Sequence, residues 1–223
     1  TSRRQRQMCI RDRSREEAIK AIEVGIDTVA ELKEKGYNVF ATGEMGIGNT
    51  TTSSAVCSVL LDQSVEKVTG KGAGLTNKDL EHKIEVIKQS IALNQVDAND
   101  PIDVLSKVGG LDIAGMVGCY IGGAALQVPV FIDGFISSVA ALIAIRLVPE
   151  CAPYLFPSHC SNEPAGNLIL DAIGKEPYIL ANMCLGEGTG AVMGFTIADY
   201  AFKAYWELPS FEQTNFGTYE ELN

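Results

Sequence analysis

A strand, a glycine loop and the start of a helix follow one another in YNVFATGEMGIGNTTT, residues 37–52. Residues 37–42 are rich in apolar and aromatic side chains and predict a strand that runs directly into the loop. Asn49 and Thr50 are residue types that cap helices, so we expect a helix from there to about Leu61. Glu44 lies among glycines that permit positive φ and close approach of the backbone to a ligand. This order predicts one strand–helix unit of an α/β fold.

Similar units recur along the rest of the chain. Helix starts are expected at Ser14 with Glu17, at Thr76 with Asp79 and at Asp100 before Pro101. Residues 111–127 are apolar and rich in small side chains, which predicts a helix packed closely against a sheet. Further strands are expected at 128–132, 154–156 and 178–185, and further helices at 135–147, 164–173 and 191–205. We therefore predict a Rossmann-like, mostly parallel sheet with helices on both faces.

Composition limits the possible functions. The chain has 223 residues, 46% hydrophobic and 21% charged, which suits one core of ordinary size. Its net charge of -10 argues against general nucleic-acid binding, which requires a basic face. The most apolar stretch, residues 134–148, contains Ser137, Ser138 and Arg146 and is too short to span a membrane. We expect neither nucleic-acid nor membrane partners.

The two ends of the chain differ from its middle. Residues 1–14 hold five of the 18 basic residues and one of the 28 acidic ones, without an apolar core or helical periodicity. They resemble translated adapter sequence, which predicts a non-native or disordered arm and a natural protein that begins upstream. A basic targeting arm is the alternative. We expect a main α/β domain at 15–206 and a tail at 207–223.

Cysteine and histidine usage gives little support for a metal site. The six cysteines include no C-x-x-C pair, so free thiols in a reducing cytoplasm are expected. With two histidines in the chain, a metal site would have to be built around His159 and Cys160, and one neighbouring pair is weak support for zinc.

A second glycine-framed glutamate occurs in LGEGTGA, residues 185–191. Glu44, Asp133, residues 158–161 and Glu187 each follow a predicted strand, and ligands of open parallel sheets bind where such loops converge. Structural alternatives remain open for both glutamates, for Asp133 and for Lys83, a candidate on the helix that begins near Thr76. Glu44 and Glu187 can act as helix caps, Asp133 can cap a helix, and Lys83 can be a solvated lysine beside Glu81 and Glu85.

Several motifs together resemble one enzyme family. They occur in family order over residues 14–206 and comprise GEMGIGNTT (43–51), GAGL (72–75), VGGLDIAG (108–115), DGF (133–135), SH (158–159) with Glu163, and LGEGTGA (185–191). This set resembles nicotinate-nucleotide:dimethylbenzimidazole phosphoribosyltransferase. The resemblance implies transfer of phosphoribose from nicotinate mononucleotide to 5,6-dimethylbenzimidazole in cobalamin biosynthesis, giving α-ribazole 5′-phosphate and nicotinate.

The resemblance also implies residue roles. Glu187 would be the general base and Glu44 its neighbour; Lys83 and the Gly46 amide would hold the 5′-phosphate near Ser161; Asp133 and Gly134 would contact the ribose phosphate; Met45 and Leu185 would line the base pocket. Leu185 and Met193 would provide an apolar setting that makes Glu187 a stronger base. The family works as a homodimer in the cytoplasm without metal or other cofactor.

The family's N-terminal portion, which helps form a small helical domain and the base pocket, has no counterpart in this sequence. We therefore expect part of that helical domain, and weak or no catalysis by this chain alone. Two other functions stay open at the sequence level. One is a non-catalytic protein that binds α-ribazole or its phosphate. The other, a dinucleotide-dependent oxidoreductase, is disfavoured because no G-x-G-x-x-G follows a strand.

Overall fold

The structure is a computed structural model that describes residues 13–72, 74–210 and 213–214. Most of the predicted basic arm, Cys9 included, lies outside these residues, as do Ala73 of the GAGL motif and most of the predicted tail. The elements in chain order are α1 (Arg15–Glu34), β1 (Phe40–Ala41), α2 (Asn49–Leu61), α3 (Val65–Val68), α4 (Asn77–Asn94), α5 (Pro101–Val108), α6 (Leu111–Ala125), β2 (Val130–Ile132), α7 (Phe135–Leu147), a 3-10 helix (Pro149–Tyr154), β3 (Leu155–Pro157), β4 (His159–Ser161), α8 (Gly166–Ala172), β5 (Ile179–Met183) and α9 (Thr189–Glu207).

Helix starts with a side-chain cap agree with their sequence signals. Ser14 and Glu17 form a reciprocal capping box at α1, and Thr76 accepts a hydrogen bond from the Asp79 amide at α4. Asp100 caps α5 by accepting from the amides of Ile102 and Asp103. These caps depend on side chains two or three residues away, so the local sequence was sufficient to predict them.

All strand pairing in the described residues is parallel. One sheet has the order β1-β2-β3, and the other pairs β4 with β5. Ser158 joins the two, because its amide donates to the Ile132 carbonyl on one side and its carbonyl accepts from the Ile179 amide on the other. The carboxyl ends of all the strands therefore lie at the same edge, and the predicted parallel α/β fold is confirmed.

Strand β2 is covered on both faces. Successive side chains of a strand point to opposite faces. A Cβ at Gly123 of α6 would overlap the side chain of Val130, whereas the ring of Phe131 packs edge-on against Phe195 of α9, 4.8 Å between centroids. Helices therefore cover both faces, as predicted.

The small residues of α6 also serve a helix–helix contact with α1, which we did not expect. A Cβ at Gly118 would lie 2.8 Å from the Cα of Gly25 in α1 and would overlap the Ile22 carbonyl. A Cβ at Gly25 would in turn meet the amide of Cys119 at 2.8 Å. Glycine at both positions lets the two backbones approach closely. The expected packing against the sheet is present at Gly123, but the contact with α1 was missed because periodicity does not say which neighbour a small face meets.

No helix among the described residues is long and apolar enough to cross a membrane.

Candidate active site

The two glycine loops touch at the carboxyl edge of the strands. The amide of Glu187 donates a 2.9 Å hydrogen bond to the carbonyl oxygen of Glu44. A Cβ at Gly43 would lie 2.5 Å from the Cα of Gly188 and would overlap its amide nitrogen. Glycine is therefore required at position 43 by close approach. The structure brings together two glutamates that are far apart in the sequence.

Glu44 is the partly buried member of the pair. Its Oε2 accepts hydrogen bonds from the Gly46 amide and from Asn49 Nδ2, the latter at 2.6 Å. Burial raises the pKa of Glu44, the two donors oppose this, and the negative charges of Asp112 and Asp133 add to the rise. The Gly46 amide, which we expected to hold a phosphate, is thus occupied by Glu44 in this structure.

Asn49 does not cap α2 as the sequence suggested. The N-cap is Gly48, in the left-handed region at φ 83, without a side-chain cap. The Asn49 side chain is directed instead to two carboxylates, because its Nδ2 also donates to Asp112 Oδ2 at 2.9 Å. Sequence reasoning missed both Asn49 and Asp112 as site residues. Asn49 stood in the glycine-loop motif but matched the composition of an ordinary cap.

Glu187 lies on the open side of the contact. Its backbone has φ 58, unusual for a residue with a side chain, and the residue is exposed. The expected apolar setting is wrong, since Leu185 is 68% exposed and Met193 is 44% exposed. Neither residue is buried against Glu187, so desolvation by these two neighbours is not present in the described chain.

The Asp133 carboxylate anchors the loop that carries Glu187 by accepting hydrogen bonds from its backbone. Its Oδ2 accepts from the Gly188 amide at 2.9 Å, and its Oδ1 accepts from the amides of Gly190 at 2.9 Å and Ala191 at 3.3 Å. The carboxylate therefore satisfies the free amides at the start of α9, a distant helix rather than its own. Asp133 is 1% exposed, and direct contact with a ribose phosphate stays a prediction.

His159 packs beneath the same turn. Its Nδ1 lies 3.9 Å from Asp133 Oδ1 and 3.1 Å from Ser158 Oγ. Burial lowers the pKa of His159, and the Asp133 charge opposes the shift. A Cβ at Gly190 would overlap the His159 ring, so the ring and the helix start pack without space between them.

Lys83 is buried, and its interpretation as a solvated lysine is wrong. It is 2% exposed, and Nζ donates to Thr50 Oγ1 at 3.0 Å and to the Gly70 carbonyl at 2.9 Å. Burial lowers the pKa of Lys83, while the nearby Glu163 carboxylate opposes the shift. Thr50 directly follows Asn49, so the first turn of α2 contacts Lys83 and Glu44 through consecutive residues. Sequence reasoning missed Thr50 as a site residue.

The remaining predicted site residues are placed as follows. Gly134 is the N-cap of α7, and a Cβ there would lie 3.4 Å from His159 Nε2 and 3.9 Å from the Ser161 Cβ. Ser161 is buried in β4, and its Oγ accepts from the Glu163 amide at 3.3 Å. Met45 is exposed in the first glycine loop. The proposed roles of these residues stay predictions.

The described residues contain no group of three or more His, Cys, Asp and Glu side chains arranged to hold a metal ion. Of the pair singled out for zinc, Cys160 donates to Asn167 Oδ1 at 3.0 Å and His159 contacts Ser158. Cys57, Cys119, Cys151, Cys160 and Cys184 are free thiols, as expected.

A separate cavity of about 850 Å³ lies between the sheet and the second half of α9. Its walls are apolar and include Phe131, Phe156, Phe195 and Trp206. None of the predicted site residues lines it. It is therefore distinct from the glycine-loop site.

Comparison with known proteins identifies relatives over nearly the whole chain. Residues 13–216 match a family model, DBI_PRT, described as Phosphoribosyltransferase. A nicotinate-nucleotide–dimethylbenzimidazole phosphoribosyltransferase from Ruminiclostridium cellulolyticum is 54% identical over 209 residues, covering 94% of this chain and 59% of the relative. The enzyme of that name from Clostridium acetobutylicum is 49% identical over 209 residues, with the same two coverages.

Solved structures give the same result. The crystal structure of CobT from Thermus thermophilus superposes with a TM-score of 0.84 at 31% identity, covering 90% of this chain and 60% of that one. The chain thus spans about three fifths of the length of the relatives it matches.

Proposed function

This chain belongs to the DBI_PRT phosphoribosyltransferase family, and from that premise we propose that its glycine-loop site transfers phosphoribose from nicotinate mononucleotide to 5,6-dimethylbenzimidazole or a related base. The products are α-ribazole 5′-phosphate and nicotinate, as in cobalamin biosynthesis. The hydrogen bond from the Glu187 amide to the Glu44 carbonyl is the observation that carries the proposal. Because this bond brings two carboxylate-bearing loops into contact, it supports one ligand site shared by both loops.

The residues divide between two parts of the substrate. Lys83 extends from α4 to the first turn of α2, where Thr50 accepts a hydrogen bond from it, and its positive charge suits the 5′-phosphate. Glu187 lies exposed on the adjoining loop and suits an incoming base that must lose a proton. Glu44 is held between them by Gly46 and Asn49. A phosphate within an acidic chain then requires a local cation, and Lys83 provides it.

The reaction requires little acid catalysis from the protein. Nicotinate mononucleotide carries a cationic pyridinium, so the bond from the anomeric carbon to the ring nitrogen breaks with its electron pair passing to nicotinate. A nitrogen of dimethylbenzimidazole forms the new bond to that carbon, and its other nitrogen loses a proton to Glu187. The protein aligns the two bases and accepts one proton. Nearby carboxylates also favour the positive charge that develops on the sugar.

The family resemblance supports two further properties. We propose that the protein works as a homodimer and in the cytoplasm. Light scattering on the purified chain, measured over a range of concentrations, tests the first: a mass near 23.9 kDa at every concentration contradicts it.

The experiment that tests the function combines binding and turnover. Nicotinate mononucleotide is titrated into the chain by calorimetry. The chain alone, and a version extended with the N-terminal portion of a relative, are then incubated with dimethylbenzimidazole while α-ribazole 5′-phosphate and nicotinate are followed by mass spectrometry. Formation of both products in equal amounts supports the transferase. Binding of α-ribazole phosphate without any product from the extended version supports the non-catalytic binding protein instead, and absence of binding by every ligand contradicts both.

A further inference from the structure

The Asn49 side chain bridges two carboxylates at the edge of the site. Its Nδ2 donates to Glu44 Oε2 at 2.6 Å and to Asp112 Oδ2 at 2.9 Å. The residue is 3% exposed, and its Oδ1 has no hydrogen-bond partner among the described residues. Both donor hydrogens of the amide are therefore committed to acids, and its acceptor is left unpaired.

That unpaired oxygen argues against a purely structural role. A buried acceptor without a partner costs about 1–3 kcal/mol, so such groups in native structures need an explanation. Rotating the amide by half a turn would place its oxygen against both carboxylates, which would be worse. Helix capping does not explain Asn49 either, because Gly48 is the N-cap of α2. The Asn49 side chain instead donates one hydrogen bond to each of two carboxylates, those of Glu44 and Asp112.

We infer that Asn49 is a positioning residue, which holds the Glu44 carboxylate in place beside the Glu187 loop and links it to Asp112 at the start of α6. Its effect on catalysis rests on the proposed transferase function, but the link between the three side chains does not. Glu44 receives its second fixed donor from the Gly46 amide, so loss of Asn49 leaves the carboxylate free to turn about that single bond.

Electrostatics agrees with this geometry. Burial raises the pKa of Glu44, the Asn49 donor opposes the rise, and Asp112 and Asp133 increase it through their charges. These are the charged groups that act on Glu44 from α6 and from the loop after β2. Removing the amide should therefore make the Glu44 carboxyl harder to ionise, and removing the Asp112 charge should make it easier.

The test follows the Glu44 carboxyl directly by ¹³C NMR titration of glutamate-labelled protein, with the resonance assigned from Glu44→Gln. Asn49→Ala should move the Glu44 midpoint upward by about one pH unit, equivalent to the loss of one charge-assisted hydrogen bond. Asn94→Ala is the matched control. Asn94 is a buried asparagine of α4 that donates to the Ser90 carbonyl, away from the site, and its loss should leave the Glu44 midpoint unchanged.

Asp112→Asn tests the link from its other end without altering Asn49, and serves also if Asn49→Ala does not fold. This substitution should lower the Glu44 midpoint. An unchanged midpoint in folded Asn49→Ala or in Asp112→Asn would overturn the inference.

Turnover adds a second readout. Asn49→Ala should lower kcat by about 10- to 100-fold with a smaller change in KM for nicotinate mononucleotide, as expected for misplacement of a catalytic group. In a Glu44→Gln background the same substitution should have little further effect, because the two act as one unit. If the kcat losses of Asn49→Ala and Glu44→Gln added in the double variant, Asn49 would not act through Glu44. These rates are measured in the version extended with the N-terminal portion of a relative. Shifted NMR midpoints with no product from that extended version would count against the transferase and leave the hydrogen bonds of Asn49 unaffected.

Discussion

The amide of Glu187 donates a hydrogen bond to the carbonyl oxygen of Glu44, and this bond joins two loops whose contact leaves no room for a side chain at Gly43. Because the bond uses backbone groups, both carboxylates remain available for other partners. Glu44 is turned inward to Gly46 and Asn49, whereas Glu187 is exposed. One site therefore holds two glutamates in different environments.

Close packing of the loops predicts the effect of a single methyl group. Gly43→Ala should destabilise the protein by about 1–3 kcal/mol, since its Cβ would lie 2.5 Å from the Gly188 Cα and overlap the amide. The control is Gly115→Ala in α6, where the nearest atom lies 4.0 Å from the new Cβ and alanine favours the helix by about 0.5–1 kcal/mol. Urea unfolding midpoints measure both. Equal stability of the two variants would contradict the loop contact.

The hydrogen bonds to Asp133 predict that its substitution will change hydrogen exchange at the amides it holds. Asp133→Asn keeps the shape but leaves one oxygen to serve the amides of Gly188, Gly190 and Ala191, so these amides should exchange hydrogen faster. We expect a stability loss of about 1–3 kcal/mol. Asp199→Asn, an exposed carboxylate of α9 paired with Lys203, should change neither quantity appreciably. Unchanged exchange at Gly188 and Gly190 in Asp133→Asn would show that the carboxylate does not anchor the loop.

The raised pKa of Glu44 predicts that replacing its carboxyl by a neutral amide will increase the stability of the fold in a pH-dependent way. Its pKa is raised in the folded state, so its contribution favours folding below the unfolded value of 4.5 and is lost as pH rises through the folded pKa. Glu44 therefore contributes less to stability at pH 7 than it does below pH 4.5. Glu44→Gln should raise the urea midpoint at pH 7 and lose this advantage below about pH 4.5.

The control for that measurement is Glu85→Gln, an exposed carboxylate of α4 beside Lys88. It should show no comparable gain at pH 7. A Glu44→Gln protein that is less stable than wild type at pH 7 would refute the assignment of Glu44 as a destabilising buried acid. Gained stability together with lost turnover is the usual compromise at a functional site.

Local signals predicted much of the fold. The bounds of α7, Phe135–Leu147, agree with the sequence expectation, and the caps at Ser14, Thr76 and Asp100 are where their residue types indicate. Each depends on neighbours within one helical turn. The parallel sheet followed from alternation of short apolar runs with helices, a pattern that few other arrangements produce.

The tertiary partners could not be predicted in this way. Sequence spacing did not indicate that Asp133 would cap the distant helix α9, that Lys83 would be buried on an acidic helix, or that the α6 glycines would meet α1. Asn49 had the local composition of a cap yet binds two acids. The glycine motifs indicated where a ligand might bind, but the side chains that orient the site depend on contacts between remote residues.

The proposed role of Lys83 predicts that its loss will weaken binding only of ligands that carry the 5′-phosphate. Lys83→Met should weaken binding of nicotinate mononucleotide by about 10- to 100-fold, the value of one or two hydrogen bonds to a charged group. Binding of nicotinate riboside, which lacks the phosphate, should change little. Lys88→Met on the same helix, where the lysine is exposed and paired with Glu66, is the control. An equal loss of affinity for the riboside and the nucleotide would show that Lys83 does not bind the phosphate.

The most direct test of the central claim is a crystal structure of the chain with nicotinate mononucleotide bound. The account predicts phosphate density beside Lys83, and the anomeric carbon between the Glu44 and Glu187 loops. Nucleotide density confined to the apolar cavity beside α9, or anywhere remote from both glutamates, would contradict it.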